Sequence, residues 1–219
     1  MTAEAASLVR RVREVVVSRL AEVIDRDFNT PAGSLQRTCN ETLMHIAELP
    51  HGWASRVATR SRVNDYVTPL AVEEDAPSEL LATLDSGLAV FADVLGMMER
   101  GEVAAHSAGL ADSVGWAAMI ADEELVHLWD IGQGLAAPWP LPSDLCDAVL
   151  GRLFPWAGSE GSSSDRLLWV NGRSQLHGRP PIRDWVWHCG DPSEWDGQVL
   201  SDQTLSFLPM ERRRIVRSE

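Results

Sequence analysis

Glu123 and His127, with Asp130 shortly after, lie in the run Glu123-Glu124-Leu125-Val126-His127-Leu128-Trp129-Asp130. A carboxylate and an imidazole four residues apart on a helix stand one turn above each other, so the two can grip a single metal ion. The surrounding pattern sets that pair on an apolar face, because Trp116, Ile120, Glu123, His127 and Ile131 follow one another at steps of three or four. A carboxylate stranded on such a face is costly unless it is protonated, hydrogen-bonded or coordinated. Catalytic zinc sites commonly use three protein ligands, His₂Glu among them, and leave a fourth position open. One further nitrogen is therefore needed.

Six histidines are available. His45 is the best third ligand, since it sits at the edge of an apolar helical stripe. His51 follows a helix end, His106 is read as a loop residue beside Ser107, and His177 and His188 fall late in the chain. Asp130 could orient an imidazole through its free ring nitrogen. Each assignment has a plainer counterpart. Glu-x₃-His is often an exposed charge pair, a polar residue near a helix end is common, and Cys39, in phase with Leu35 and Leu43, reads as a small core residue. Arg173, Arg179 and Arg183 cluster with Gly172 and Gly178, which suits an anion contact; solvated surface arginines are the ordinary alternative.

Helices must position these groups. Leu8, Val12, Val15, Val16, Leu20, Val23 and Ile24 predict a first helix running to about Asp25. A second, capped by Ser34, carries Leu35, Cys39, Leu43 and Ile46 and ends near Pro50. A short helix around Trp53 to Tyr66 is expected, then the acidic loop Glu73-Glu74-Asp75. Pro77 and Ser78 open a third helix with Leu80, Leu84, Leu88, Phe91, Leu95 and Met98 on one face. The fourth, about Asp112 to Leu135, carries the Glu123 motif and is apolar on more than one side, which predicts the most buried helix of the set. Beyond the prolines at 138, 140 and 142 come a helix from Ser143-Asp144, a Gly/Ser linker at 158–164, a short helix over Asp165 to Val170, and a strand-like alternation over Arg183 to His188. The expected fold is mainly α. A helical bundle spans 1–140, with a small C-terminal α/β region at 141–219 packed on it.

Composition excludes several functions. The 219 residues, 45% apolar, can bury a core without staples. All 19 basic residues are arginine, so Schiff-base chemistry, including that of pyridoxal phosphate, has no lysine to use. A formal charge of −13 opposes nucleic acid and anionic membranes, and the basic run Arg212 to Arg214 lies in the tail. Three scattered cysteines, no apolar leader and no membrane-length apolar run point to a soluble protein of a reducing cytoplasm. His106-Ser107 lacks the surroundings of a serine nucleophile.

The chain resembles the mycothiol-dependent maleylpyruvate isomerase-like proteins of actinobacteria, within the DinB-like metal-binding four-helix bundles. The resemblance is carried by Leu43-Met44-His45-Ile46-Ala47, by Glu123 to Asp130, and by Leu167-Leu168-Trp169-Val170-Asn171-Gly172-Arg173 with Gly178-Arg179-Pro180 and Trp185-Val186-Trp187. It implies a divalent metal, usually zinc, on His45, Glu123 and His127, and mycothiol or a similar thiol as cosubstrate. The implied chemistry is thiol-dependent isomerisation or S-transfer on a small, electrophilic, carboxylated metabolite, with Arg173 as the anion contact. Two departures bear on recognition: Ala32 to Arg37 lacks the family's Gly-Trp, and Met119-Ile120 stands where an arginine is common. A metal-water hydrolase on the same ligands, or a non-catalytic small-molecule-binding bundle, are the alternatives from other classes.

Overall fold

A computed structural model describes residues 2–62 and 76–199. Residues 63–66 of the expected short helix, the acidic stretch Glu73-Glu74-Asp75 and the basic run Arg212 to Arg214 lie outside the described residues. Four long helices make the body of the molecule: α1 (Thr2–Ala21), α2 (Cys39–Thr59), α3 (Pro77–Gly96) and α4 (Ser113–Gly134). Helix α3 packs against both α1 and α2, and α4 does the same from the other side, which sets α1 and α2 on opposite corners. The core runs between them through Val9, Val12, Val16, Leu43, Ile46, Leu84, Leu88, Phe91, Trp116 and Ile120, all buried. Among the described residues, no helix is long and apolar enough to cross a membrane.

Local chemistry explains the helix ends, and three of them differ from expectation. Helix α1 stops at Ala21 rather than near Asp25, because the chain tightens into shorter turns: Val23 N–H bonds to the Leu20 carbonyl and Arg26 N–H to that of Val23. Helix α2 starts at Cys39 instead of following Ser34. Thr38 and Glu41 form a capping box, in which the Thr38 hydroxyl accepts from Glu41 N–H (3.1 Å) and the Glu41 carboxylate accepts from Thr38 N–H (2.7 Å). The stretch before it is held as a loop by the Pro31–Thr38 bridge.

Helix α2 also runs through Pro50 to Thr59, so the expected break at Pro50 and a separate helix at Trp53 do not occur. Proline inside a helix costs about 3 kcal/mol in a lost donor and a steric clash. Here the ring is buried against α3, where Gly87 clears the space: a Cβ on Gly87 would fall 2.9 Å from Pro50 Cγ. Helix α3 begins at Pro77 and α4 at the Asp112 cap, as the periodicity predicts. Residues around most of the circumference of α4 are buried.

No strand forms over Arg183 to His188, where the alternation predicts one. A strand needs a neighbour, and among the described residues this segment has none; its alternating tryptophans lie against rings instead, Trp185 on Phe154 (5.1 Å between centroids) and Trp187 on His106 (5.3 Å). Among the described residues, the C-terminal region holds α5 (Ser143–Leu153) on α4, α6 (Ser163–Val170) on α5, and extended chain with a 3₁₀ turn at Pro192–Glu194. Among the described residues, the strands are β1 (Ala104–His106) and β2 (Gly109–Ala111), an antiparallel pair with Ala104 opposite Ala111. His106 therefore belongs to a strand.

Candidate metal centre

Three side chains from two non-adjacent helices converge where α2 crosses α4. Glu123 Oε2 lies 3.4 Å from His127 Nε2 and 3.5 Å from His45 Nε2. All three ligand atoms fall within 4.8 Å of one another, and the two imidazoles meet edge to face at 5.2 Å. Bonds of about 2.0–2.1 Å to a tetrahedral zinc put ligand atoms roughly 3.3 Å apart, so the spacing around Glu123 fits an ion shared by the three. The side chains are 32%, 21% and 13% exposed for His45, Glu123 and His127, so the cluster is sunken and open on one side. Its neighbour Glu124 is wholly buried, at 0% exposure and with neither oxygen hydrogen-bonded.

The electrostatics match a site that prefers a cation. Burial by itself would raise the Glu123 carboxyl, but hydrogen bonds and charge from His127 and His45 outweigh it and hold the acid well below the usual range. Burial would likewise lower His127; Asp130 and Glu123 outweigh that and raise it to about 9. Asp130 is fully buried, and its Oδ2 lies 3.0 Å from His127 Nδ1. Arg173 donates to the same carboxylate from Nη2 (2.7 Å) and Nε (3.2 and 3.3 Å), which keeps it an acceptor. His127 Nδ1 must then be the donor, and Nε2 is the nitrogen that faces Glu123.

Helix α4 carries a further buried carboxyl group, Asp122, just before the ligand pair. Asp122 accepts from Asn171 Nδ2 and from Trp187 Nε1, both at 2.8 Å. Burial, only partly offset by those donors, raises its pKa to about 7. Asp122, Asn171 and Trp187 escaped the sequence reading as site residues. The one signal available was that Asp122, like Asp130, shares the buried side of α4 with Met119 and Val126.

The other candidates lie elsewhere. Arg173 faces Asp130 and the Asn171 carbonyl (2.7 Å from Nη1). His106 sits in a ring cluster with Trp53, Trp116 and Trp187. His51 Nε2 lies 3.1 Å from the Thr83 carbonyl, and His188 Nε2 lies 2.9 Å from that of Asp191. All three cysteines are free and buried; burial raises Cys39 and pushes Cys146 and Cys189 up to about 12, so none is a ready thiolate. A cleft of about 600 Å³ bordered by Trp156, Trp187 and Arg152 includes none of the three ligand residues. Its buried Arg152 is committed to Asp112 and to the carbonyls of His188, Cys189 and Gly190.

The fold and the site together define a mainly helical protein with a His₂Glu cluster that could hold a metal ion. Compared with known protein families, curated proteins and solved structures, the chain matches none.

Proposed function

We propose that this protein is a metal-dependent enzyme of the mycothiol-dependent maleylpyruvate isomerase-like type, built on a DinB-like bundle and using a low-molecular-weight thiol on a small electrophilic metabolite. The observation that carries the reading is the placement of Glu123 Oε2 within 3.5 Å of both His45 Nε2 and His127 Nε2 in a cluster open on one side. Three ligands with an exposed side suit an ion that keeps a position for an exchangeable group. Bound there, a divalent ion such as zinc would supply the acidity that turns a thiol into a thiolate at neutral pH.

The protein's own groups support an external nucleophile. Its described cysteines are buried, with raised pKa values, and the chain contains no lysine. His45, Glu123 and His127 would hold the ion, and Asp130 would fix His127 with Nε2 toward it. Because the Arg173 guanidinium is engaged by Asp130, the carboxylated character of the substrate rests on the family resemblance alone. Calorimetric titration of zinc-loaded protein with mycothiol tests the proposal. The expected result is saturable one-to-one binding that is lost in Glu123→Ala. Zinc-loaded protein that ignores the thiol but hydrolyses esters or amides would place the water-activating alternative ahead; protein that takes up no metal would end both.

A further inference from the structure

The turn leaving α6 donates to two carboxyl groups of α4, and these bracket the ligand pair. Asp122 precedes Glu123 and Asp130 follows His127; the two aspartates are eight positions apart, about 12 Å along the helix axis. Both are buried, at 1% and 0% exposure. Asn171 and Arg173, two residues apart, take one each: Asn171 donates to Asp122, and Arg173 forms its forked contact with Asp130. Trp187 adds a second donor to Asp122 from farther along the chain.

The turn that presents Asn171 and Arg173 is itself closed. Gly172 N–H bonds to the Trp169 carbonyl (3.1 Å) and Arg173 N–H to that of Leu168 (2.8 Å), with Gly172 at φ +76°. A Cβ on Gly172 would fall 2.7 Å from the Ile182 carbonyl oxygen, so the returning chain locks against the turn. Asn171 is also held by its own Leu167 carbonyl (3.0 Å). Two buried carboxylates without these donors would be costly, and the donors are supplied only when the C-terminal segment is docked.

We propose that the 171–173 turn and Trp187 form a clamp on the ligand-bearing stretch of α4, in which Arg173 is a positioning residue that acts on the metal through Asp130 and His127. Docking of the C-terminal segment and metal binding then favour each other, since both require the same placement of His127. This inference rests on the metal reading of the cluster and is independent of the thiol.

Cobalt(II) serves as the probe. Its affinity for the full-length protein is measured by chelator competition, and its visible absorption reports the ligand geometry. Arg173→Ala should weaken cobalt binding by about 10- to 100-fold and alter the spectrum. Arg173→Lys should recover part of the loss, because an ammonium supplies charge but not the fork. Arg179→Ala, a contact with Trp169 and Glu160 on the outside of the same region, should change neither. Should Arg173→Ala fail to fold, hydrogen exchange of the wild-type protein decides: zinc should slow exchange in 167–173 as well as around His45 and Glu123. The clamp is overturned if folded Arg173→Ala binds cobalt like wild type, or if zinc protects α2 and α4 alone. Wild-type protein that binds no cobalt overturns the metal reading and the clamp together.

Discussion

Glu123 and Glu124 are adjacent carboxylates with opposite surroundings, and substitution at Glu124 separates their roles. Glu124 is fully buried and unpartnered, and burial, with repulsion from Glu123, raises its pKa well above the ordinary 4.5. The folded chain therefore keeps a proton that the unfolded chain releases above about pH 4.5. Stability is full below that pH and falls as pH rises, at about 1.4 kcal/mol per pH unit until the folded pKa is reached. A protonated but unsatisfied carboxyl in the core costs about 1–3 kcal/mol besides. Glu124→Leu removes both penalties; Glu124→Gln keeps the shape and removes the titration only. In urea unfolding of chelator-treated protein followed by tryptophan fluorescence, Glu124→Leu should gain about 1–3 kcal/mol at pH 5, and both variants should pull further ahead of wild type at pH 7. Cobalt binding should survive in both. A Glu124→Leu protein less stable than wild type at every pH, or an advantage that fails to grow between pH 5 and 7, would refute the reasoning and point to a buried partner for this carboxyl.

Removing a ligand should do the reverse: His45→Ala, Glu123→Ala and His127→Ala should each lose stoichiometric zinc after dialysis, measured by elemental analysis, while remaining helical by circular dichroism. In the ion-free protein His127 holds its extra proton up to about pH 9, so zinc must displace it; affinity should fall as pH is lowered, with proton release visible as a buffer-dependent heat of binding. Cys146 and Cys189, with thiols at about 12, should resist alkylation at pH 8 in the native protein and react once it is unfolded. Gly134→Ala should cost about 1–3 kcal/mol in thermal or urea unfolding, because a Cβ there would run into the Pro31 carbonyl oxygen and fall 2.6 Å from Cys39 Sγ.

What could be read from the residues in order was whatever depends on near neighbours along the chain. The phase of α4, its Asp112 cap and the stacking of Glu123 on His127 follow from a 3.6-residue period and hydrogen bonds spanning three or four positions. The start of α2 was legible in the Thr38 and Glu41 pair, whose capping-box spacing the competing Ser34 lacks because Arg37 stands three residues after it. The passage through Pro50 depended on Gly87, on another helix. The alternation of Trp185 and Trp187 resembled a strand, yet pairing is a property of two segments, and among the described residues no second one supplies it.

The same division runs through the site. Sequence alone determined that Glu123 and His127 share one face and that His45 had the best claim to join them. Only the packing of α2 across α4 brought His45 Nε2 to 3.5 Å from Glu123, over a separation of 78 positions that no periodicity spans. Tertiary structure alone decided that Arg173 turns to Asp130 and that Asn171 and Trp187 hold Asp122, because a buried carboxylate takes its donors from whatever chain folds against it.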